Sequence, residues 1–479
     1  MFKQQLLEWS LQFEEIVWLD SNNYQENYGE FDAILAAGAF TAIKTDAQQA
    51  FNQLKEYQET TKDWIFGYLS YDLKNDVENL TSRNFDELYF PDLYFFQPQR
   101  LFLLKDDQLE MQYLRMVDDE IEEDFAEIKK SPPSPQRGSD IGSDERMQEK
   151  RKAGFKSTSE NQKPVTENSQ RTTQNSIPTT ENREQRTDNS EPTTHNTQRA
   201  TDNREPKIQA RISKENYLQK VGEMLLHIQR GDIYEANFCQ EFFAENREIE
   251  PVSVFRELNE ISGPPFATFL KLEEHYLLSA SPERYLKKSG TKLISQPIKG
   301  TARRADNSTE DLEIAQKLSE DPKEQSENVM IVDLVRNDLS KIAAKGSVQV
   351  SELCKVYSFK QVHQMISTVS AEIATGIHPV EALRATFPMG SMTGAPKVSA
   401  MKIIEELEET KRGLYSGAVG YFTPNGDFDF NVVIRSILYN SAKKYVSFSV
   451  GGAITAGSVP EKEYEECLLK AAAMRQALK

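Results

Sequence analysis

The stretch SGAVGYFTPNGDFDFNVVIRSILYNSAKKYVSFSVGGAIT, residues 416–455, decides the fold class. It divides into three apolar runs, 416–423, 428–440 and 444–455, which short polar segments separate. Runs rich in Val, Ile, Phe and Tyr with turn residues between them predict β-strands joined by hairpins. Because hairpins join antiparallel strands, this stretch predicts a mostly antiparallel sheet.

Strands and helices also alternate on the N-terminal side of this stretch. Residues 216–230 predict an amphipathic helix, because Leu218, Val221, Leu225 and Ile228 recur at helical spacing before Gly231. Further strands are predicted at 266–272, 276–281 and 292–298, and helices at 321–343, at 395–410 and from residue 460 onward. Strands outnumber helices and hairpins outnumber βαβ units, so the predicted class is α+β.

Composition divides the 479 residues into three regions. Residues 1–130 hold aromatic runs such as LYFPDLYFF at 88–96, which predict strands of an N-terminal segment. Residues 131–206 are rich in Ser, Thr, Asn, Gln, Arg and Glu, and a degenerate 14-residue repeat begins at Pro164. Such a segment buries too little apolar surface to offset its ordering entropy, so we predict a disordered low-complexity insertion, with a docking tail as the alternative. Residues 207–479 form the main predicted domain.

Charge and cysteine content narrow the possible partners and compartment. The chain has 57 Lys and Arg against 75 Asp and Glu, a net charge of −18, which argues against nucleic acid or an anionic membrane surface as partner. Cys239, Cys354 and Cys467 stand singly, which favours a reducing compartment over a disulfide scaffold or a thiolate zinc site. The N-terminus lacks a signal-peptide pattern, and no apolar run reaches the length of a membrane span. We therefore expect a soluble, cytoplasmic protein.

Two pairs of carboxylates have the spacing of neighbours on one helix face. Glu324 and Glu327 are three residues apart on one predicted helix, and Glu463 and Glu466 repeat that spacing on the last helix. If the pairs converge, they offer the hard oxygen ligands that Mg²⁺ prefers. The alternative is helix capping, because Asp321 stands three residues before Glu324 in a capping-box pattern.

Lys299 and Glu283 are candidates for catalysis. Lys299 follows an apolar strand and precedes Gly300, and it could act as a nucleophile if its surroundings lowered its pKa. An exposed loop lysine is the alternative. Glu283, in Ser-Pro-Glu-Arg, is either a general acid or base or the ion-pair partner of Arg284.

Four further residues admit both a binding and a structural interpretation. Arg435 interrupts the apolar run VVIRSIL, and an arginine among core residues needs an anion, which favours carboxylate binding. Gly451 and Gly452 could offer backbone N–H groups to a carboxylate or form a tight turn. His363 is either a catalytic group or a structural histidine.

Taken in order, seven blocks resemble those of the chorismate-utilising enzymes, which include component I of anthranilate synthase. They are SASPERYL at 279–286, QPIKGTARR at 296–304, ENVMIVDLVRNDLSKIA at 327–343, FPMGSMTGAPK at 387–397, GLYSGAVGYF at 413–422, NVVIRSI at 431–437 and PEKEYEECLLKA at 460–471. The resemblance is strong over 208–479 and extends to 1–130. It implies the two-lobed fold of anthranilate synthase component I, with packed, mostly antiparallel β-sheets and outer helices.

The resemblance also implies roles for individual residues. Glu327 and Glu466 would bind Mg²⁺, with Glu324 and Glu463 as further ligands through water, and the metal would hold the ring carboxylate of chorismate. Glu283 would protonate the departing 4-hydroxyl group. The remaining residues would bind the substrate or line its pocket: Gly300, Thr301, His363, Ser391, Tyr415, Arg435, Gly451, Gly452 and Lys470.

Lys299 points to one branch of this family. The block Pro-Ile-Lys-Gly-Thr resembles aminodeoxychorismate synthases, whereas anthranilate synthases carry alanine in place of this lysine. A lysine that adds at C2 lets ammonia arrive at C4, which implies 4-amino-4-deoxychorismate as product, on the p-aminobenzoate and folate route. Asn328 and Ala453 resemble the same branch. The alternatives are anthranilate synthase chemistry and a non-catalytic paralogue that acts as a binding subunit.

Three features depart from the family's usual pattern or limit the chain's activity. Glu235 stands where glutamine or, in water-adding members, lysine is usual, and its effect on the pocket stays open. The chain also has no Gly-x-Cys-x-Gly elbow, so we see no glutaminase nucleophile. We therefore expect ammonia to come from a separate glutamine amidotransferase subunit. WLDS at 18–21 leaves a tryptophan pocket possible without assuring feedback control.

Overall fold

The computed structural model describes residues 2–24, 29–106, 108–130, 207–360 and 362–479. The insertion predicted at 131–206, with its repeat and the docking alternative, lies outside the described residues, so the domain boundaries stay predictions. The helices are α1 Phe2–Ser10, α2 Ala50–Thr61, α3 Lys74–Val77, α4 Ile121–Lys130, α5 Lys214–Arg230, α6 Pro251–Ser262, α7 Ser308–Glu320, α8 Pro322–Ser340, α9 Pro379–Thr386, α10 Lys397–Leu407 and α11 Pro460–Ala477.

Nineteen strands are found in the described part of the chain. They are β1 Glu15–Asp20, β2 Ala33–Thr45, β3 Ile65–Leu69, β4 Leu93–Lys105, β5 Gln108–Tyr113, β6 Gln209–Ala210, β7 Glu235–Ala244, β8 Phe266–Leu272, β9 His275–Ser281, β10 Arg284–Ser289, β11 Lys292–Ser295, β12 Ile298–Arg303, β13 Gln349–Ser358, β14 Val362–Glu372, β15 Gly394–Ala395, β16 Ala418–Phe422, β17 Phe428–Val432, β18 Ser436–Asn440 and β19 Tyr445–Thr455.

The long strands β2 and β4 connect two arms of antiparallel sheet. They pair with each other over most of their length, and β4 leads through β3, β16, β17, β10 and β11 to β14, which also pairs with β12 and β13. On the other side, β2 leads through β1, β8, β9, β18 and β19 to β7. All these pairings are antiparallel, which confirms the predicted α+β class.

The N-terminal strands contribute to both hydrophobic cores. Successive side chains of a strand point to opposite faces of its sheet. Accordingly, Ile16 and Trp18 of β1 belong to one buried cluster, whereas Val17 belongs to the other. Leu35 and Ile34 of β2 divide in the same way. Residues 1–130 are therefore part of the same folded body as the strands and helices that follow residue 207.

The two helices that bear the carboxylate pairs pack near the far ends of the two sheet arms. α8 packs on β12 and β14, whereas α11 packs on β19. α8 begins where expected, because the Asp321 carboxylate accepts hydrogen bonds from the backbone N–H groups of Lys323 and Glu324, and Pro322 occupies the first turn. The capping group is thus Asp321, and the Glu324 side chain points elsewhere.

Local sequence patterns predicted most element boundaries well, with one informative error. The helix that ends before Gly231 and the strand at 266–272 are confirmed. The single strand predicted over 428–440 is wrong, because the chain breaks between β17 and β18, and Arg435 adopts a positive φ of 53° there. Such a backbone conformation is uncommon for a residue other than glycine, so the break turns Arg435 out of the ladder.

No helix among the described residues is both long and apolar enough to cross a membrane.

Candidate active site

An ion pair between Lys299 and Glu235 joins the far ends of the two sheet arms. Lys299 is the second residue of β12, and Glu235 is the first residue of β7. The Lys299 Nζ donates a hydrogen bond to Glu235 Oε1 at 2.8 Å. Both side chains are largely shielded from solvent, with 11% of the lysine and 2% of the glutamate exposed. Lys299 is therefore a buried, paired amine, and the alternative of an exposed loop lysine is excluded.

Carboxylates determine the protonation of Lys299. Burial lowers the pKa of its ammonium group, whereas the charge and hydrogen bond of Glu235 raise it. The charges of Glu327 and Glu283 act in the same direction, so the net result is a pKa above the usual value for lysine. In the free protein Lys299 is consequently protonated, and it must lose a proton before it can act as a nucleophile.

Glu283 has the properties of a buried acid. It lies between β9 and β10, and burial raises the pKa of its carboxyl group to about 7. A hydrogen bond with Ser391, the charge of Lys299 and the backbone N–H of Ile298 each lower that pKa without cancelling the effect of burial. A carboxyl group with a pKa near neutrality can hold a proton and deliver it, as a general acid must. Its alternative role as the partner of Arg284 is not observed, because Arg284 bonds Asp429 and Gln296.

The four predicted metal ligands line the same region from α8 and α11. A methyl group placed on Gly300, whose φ is +90°, would lie 3.2 Å from Glu324 Oε2. A methyl group placed on Gly452 would lie 3.4 Å from Glu463 Oε2 and 3.6 Å from Glu466 Oε1. Both glycines thus add no side chain of their own next to these carboxylates.

Charge interactions link the two helices. Burial, followed by the charges of neighbouring carboxylates that include Glu466 of α11, raises the pKa of Glu324 on α8. The pKa values of Glu327, to about 7, and of Glu463 are also raised, with burial as the main cause. Glu466 differs, because Lys470 outweighs the effect of burial and lowers its pKa. The site gathers more negative charge than its lysines neutralise.

This donor set fits a divalent cation. Glu327 Oε1 is buried and accepts no hydrogen bond from the described residues, and the nearest cation, Lys323 Nζ, is 3.6 Å away. Carboxylate oxygens with raised pKa values and an unsatisfied acceptor are the groups that Mg²⁺ would stabilise. Within the described ranges, no three acidic, histidine or cysteine side chains already stand in the arrangement of a metal-ligand cluster.

Arg435 supplies a free positive charge. Its guanidinium group forms no hydrogen bond or ion pair with any described residue. Burial lowers its pKa, while the charges of Tyr415 and Glu466 act against that effect. A largely buried, unpaired guanidinium costs free energy unless an anion binds it, so Arg435 is a carboxylate-binding candidate. Tyr415 lies beside it, with its hydroxyl 3.6 Å from the Cys239 sulfur.

The remaining predicted binding residues lie on β12 and β19 or close to them. Thr301 is exposed on β12 opposite Gln364, and Gly451 needs to be glycine because a methyl group there would lie 2.3 Å from the Phe238 carbonyl oxygen. Lys470 donates hydrogen bonds to the Gly451 carbonyl at 2.9 Å and pairs with Glu466 at 2.7 Å. Lys470 therefore neutralises a carboxylate and has little capacity left for a substrate.

His363 is held in a different set of contacts. It is buried in β14, its Nε2 bonds Asp311 at 3.0 Å, and its Nδ1 bonds the Ser358 hydroxyl at 2.8 Å. Asp311 is in turn bound by Arg304. Both ring nitrogens are thus engaged away from Lys299, which favours the structural interpretation. A catalytic role for His363 stays a prediction without support from its contacts.

Three contributors to the site were not among its predicted residues. In the sequence, Glu235 stands out only as a departure from a family pattern, although it is the direct partner of Lys299. Asn328 donates a hydrogen bond to the Met365 carbonyl at 3.2 Å and lies 3.5 Å from the Lys299 carbonyl oxygen, which links α8 to β12 and β14. Lys323 lies four residues before Glu327, and that spacing alone could have identified the pair.

Comparison with known proteins identifies the family of this chain. The model of the chorismate binding enzyme family matches residues 14–476. Aminodeoxychorismate synthase component 1 of Klebsiella aerogenes is 41% identical over 258 residues, which cover 54% of this chain and 56% of that protein. Anthranilate synthase component 1 of Thermus thermophilus is 39% identical over 272 residues, which cover 57% of this chain and 58% of that protein. The chain thus spans little more than half the length of these relatives.

A solved structure supports the fold over nearly the whole chain. Anthranilate synthase component I from Streptococcus pneumoniae superposes with a TM-score of 0.70 and 22% identity, and the match covers 94% of this chain and 93% of that one. The expected fold is therefore confirmed. With the family match over residues 14–476, these findings establish that the chain belongs to the chorismate binding enzymes.

Proposed function

We propose that this protein aminates chorismate at C4 and so produces 4-amino-4-deoxychorismate. The observation that carries the proposal is the shielded Lys299, whose positive charge lowers the pKa of the buried acid Glu283. Relatives named aminodeoxychorismate synthase component 1 support it, although the chain spans only about 56% of their length. The proposed product leads to p-aminobenzoate and folate.

Lys299 and Glu283 divide the chemistry between them. The Lys299 amine attacks C2 of the ring, the double bonds shift, and the bond from C4 to its hydroxyl group breaks. Glu283, a carboxyl group with a pKa raised to about 7 by burial, gives its proton to the leaving oxygen, so that water departs. Ammonia then attacks C4 and displaces the lysine from C2, which regenerates the free amine.

Other residues bind and orient the substrate in this proposal. The unpaired guanidinium of Arg435 binds one of the chorismate carboxylates. Glu327 and Glu466, with Glu324 and Glu463 around them, would hold Mg²⁺, which when bound would neutralise the ring carboxylate. Glycine at 300 and 452 leaves room for the substrate next to these groups. Ser391 lies next to the Glu283 carboxyl and lowers its pKa.

The source of nitrogen is a second part of the proposal. We infer that ammonia is delivered by a separate glutamine amidotransferase subunit, because the sequence lacks a glutaminase nucleophile motif. We also infer a cytoplasmic location, which the three single cysteines support because they favour a reducing compartment. Strong activity of the purified chain with glutamine alone would contradict the need for a partner.

Product analysis tests the proposed activity directly. Purified protein incubated with chorismate, Mg²⁺ and ammonium should form a compound that aminodeoxychorismate lyase converts to p-aminobenzoate. The second candidate is anthranilate synthase chemistry. It is favoured by the anthranilate synthase component 1 of Thermus thermophilus, whose sequence identity to this chain is similar to that of the aminodeoxychorismate synthase relatives. Anthranilate as the main product would refute C4 amination and favour that alternative. The Lys299→Ala variant serves as control and should form neither p-aminobenzoate precursor nor adduct.

A further inference from the structure

Glu235 is the buried residue in closest contact with the proposed nucleophile. Its Oε1 accepts the hydrogen bond of Lys299 Nζ at 2.8 Å. Its Oε2 is buried and has no hydrogen-bond partner among the described residues. A buried carboxylate normally satisfies both oxygens, so Glu235 keeps one acceptor oxygen that the described residues do not use.

The proposed reaction needs a base at this position. Lys299 is an ammonium group in the free protein, because nearby carboxylates outweigh the effect of burial on its pKa. An ammonium group has no lone pair with which to attack C2, so its proton must move first. Glu283 cannot take this proton, since it has to carry one of its own to the leaving hydroxyl group. Glu327 is assigned to Mg²⁺, which leaves Glu235 as the carboxylate in hydrogen-bond contact.

Burial makes this proton transfer accessible. Moving the proton from Nζ to Oε1 converts an ion pair into a neutral acid and a neutral amine. The exclusion of water destabilises charged groups much more than neutral ones, so a buried pair lies closer to its neutral form than an exposed pair does. The proton also has a short path, because the two atoms already share a hydrogen bond.

The backbone holds Glu235 firmly in position. It is the first residue of β7, where its partners are Thr455 of β19 on one side and Ala395 of β15 on the other. The preceding Tyr234 N–H also donates a hydrogen bond to the Ala395 carbonyl at 2.7 Å. Strand pairing on both sides is the kind of rigid support that a group acting on a reacting atom requires.

We propose that Glu235 is the general base that takes the proton from Lys299 as the amine attacks C2, and that it returns the same proton when the amine departs. This role rests on the proposed function. In the first step the bond from Nζ to C2 forms, the bond from C4 to oxygen breaks, and Glu283 protonates the oxygen. In the second step ammonia bonds to C4 and the bond from C2 to Nζ breaks. The proton on Glu235 returns to Nζ, while Glu283 regains its proton from the new C4 ammonium group.

The test follows formation of the Lys299 adduct in rapid-quench experiments with chorismate and Mg²⁺ but no ammonia, read by intact-protein mass. Glu235→Gln keeps the shape and a hydrogen-bond acceptor but cannot accept the proton, so the maximal capture rate should fall by about 10²–10⁴-fold. Glu235→Asp keeps a carboxylate and should capture faster than Glu235→Gln. The dependence of the rate on chorismate concentration should give a similar apparent affinity in all three proteins.

A surface substitution on the same segment is the matched control. Asp232→Asn removes a carboxylate three residues away that is 46% exposed and bonded to His227, and it should leave the capture rate unchanged. Capture by Glu235→Gln at the wild-type rate, or by Glu235→Asp as slowly as by Glu235→Gln, would overturn the role of Glu235. If the wild-type protein forms no adduct and releases anthranilate, the proposed function itself fails, so the two failures are distinguishable.

Discussion

Two arginines in this protein, Arg412 and Arg435, are both shielded from solvent but have opposite surroundings. Arg412 donates hydrogen bonds to both carboxylate oxygens of Glu408, at 2.7 and 2.9 Å, and to the carbonyl oxygens of Met392 and Asn237 at 2.6 and 2.8 Å. Arg435 has no hydrogen bond or ion pair among the described residues. The protein supplies hydrogen-bond partners for the first guanidinium, which we call matched. It supplies none for the second, which we call unmatched and assign to a ligand.

The same contrast separates the carboxylates. Glu408 also accepts the backbone N–H of Cys239 at 2.8 Å, so its charge is fully compensated within the fold. Glu327 keeps one buried oxygen unsatisfied, and burial raises its pKa to about 7. A matched buried group stabilises the fold, and an unmatched one costs stability that a bound substrate or metal restores. We therefore assign the two unmatched charged groups, Arg435 and Glu327, to ligand binding.

The largest effect on stability is expected from a substitution that breaks the matched pair of Arg412 and Glu408. Arg412→Met leaves the Glu408 carboxylate buried without its partner, which should lower the free energy of unfolding by about 3–5 kcal/mol. Urea denaturation monitored by fluorescence measures this change. The matched control is Arg435→Met, which should leave stability unchanged or raise it, because it removes an uncompensated charge. Equal losses of unfolding free energy in Arg412→Met and Arg435→Met would contradict the distinction between matched and unmatched arginines.

Arg435→Gln should weaken substrate binding with little effect on folding. Loss of a charge-assisted hydrogen bond costs about 1.5–3 kcal/mol, which corresponds to about a 10- to 100-fold weaker affinity for chorismate. The KM for chorismate with ammonium as nitrogen donor, together with the midpoint of thermal unfolding, measures both quantities. An unchanged KM would show that Arg435 does not contact the substrate.

His363 extends the comparison of matched and unmatched groups, because both of its ring nitrogens have hydrogen-bond partners, as the Arg412 guanidinium does. His363→Phe removes hydrogen bonds to Asp311 and Ser358 and should lower the free energy of unfolding by about 1–3 kcal/mol. At a temperature where the variant remains folded, kcat should change by less than tenfold. A loss of kcat by several orders of magnitude with unchanged stability would instead support the catalytic role predicted for His363.

The pH dependence of adduct formation should report the protonation of the buried acid Glu283. Its pKa is raised to about 7, so it is protonated and competent below that pH and ionised above it. With Mg²⁺ saturating, the capture rate should be level below about pH 7 and fall about tenfold per pH unit above it. A proton that moves from Lys299 to Glu235 is not exchanged with solvent, so this transfer adds no further pH-dependent step to the rate profile. A capture rate that rises through pH 7–9 would contradict Glu283 as the acid.

Local pattern predicted the parts of the fold that depend on neighbours in sequence. Apolar spacing identified the helix ending before Gly231, and the three-residue spacing identified the carboxylate pairs on α8 and α11. Pattern failed at Arg435, because an apolar run gave no sign of the backbone break beside it. It also could not reveal the pairing of Lys299 with Glu235, since only the meeting of β12 and β7 brings together residues 64 positions apart.

The central claim is that Lys299 captures chorismate covalently, because this separates C4 amination from the alternatives. The most direct measurement is the intact mass of the protein after incubation with chorismate and Mg²⁺ without ammonia, followed by peptide mapping. We expect a mass increase equal to chorismate less one water, located on Lys299, absent from Lys299→Ala and discharged when ammonium is added. A wild-type protein that turns over chorismate with ammonium, yet never carries this adduct, would contradict the claim.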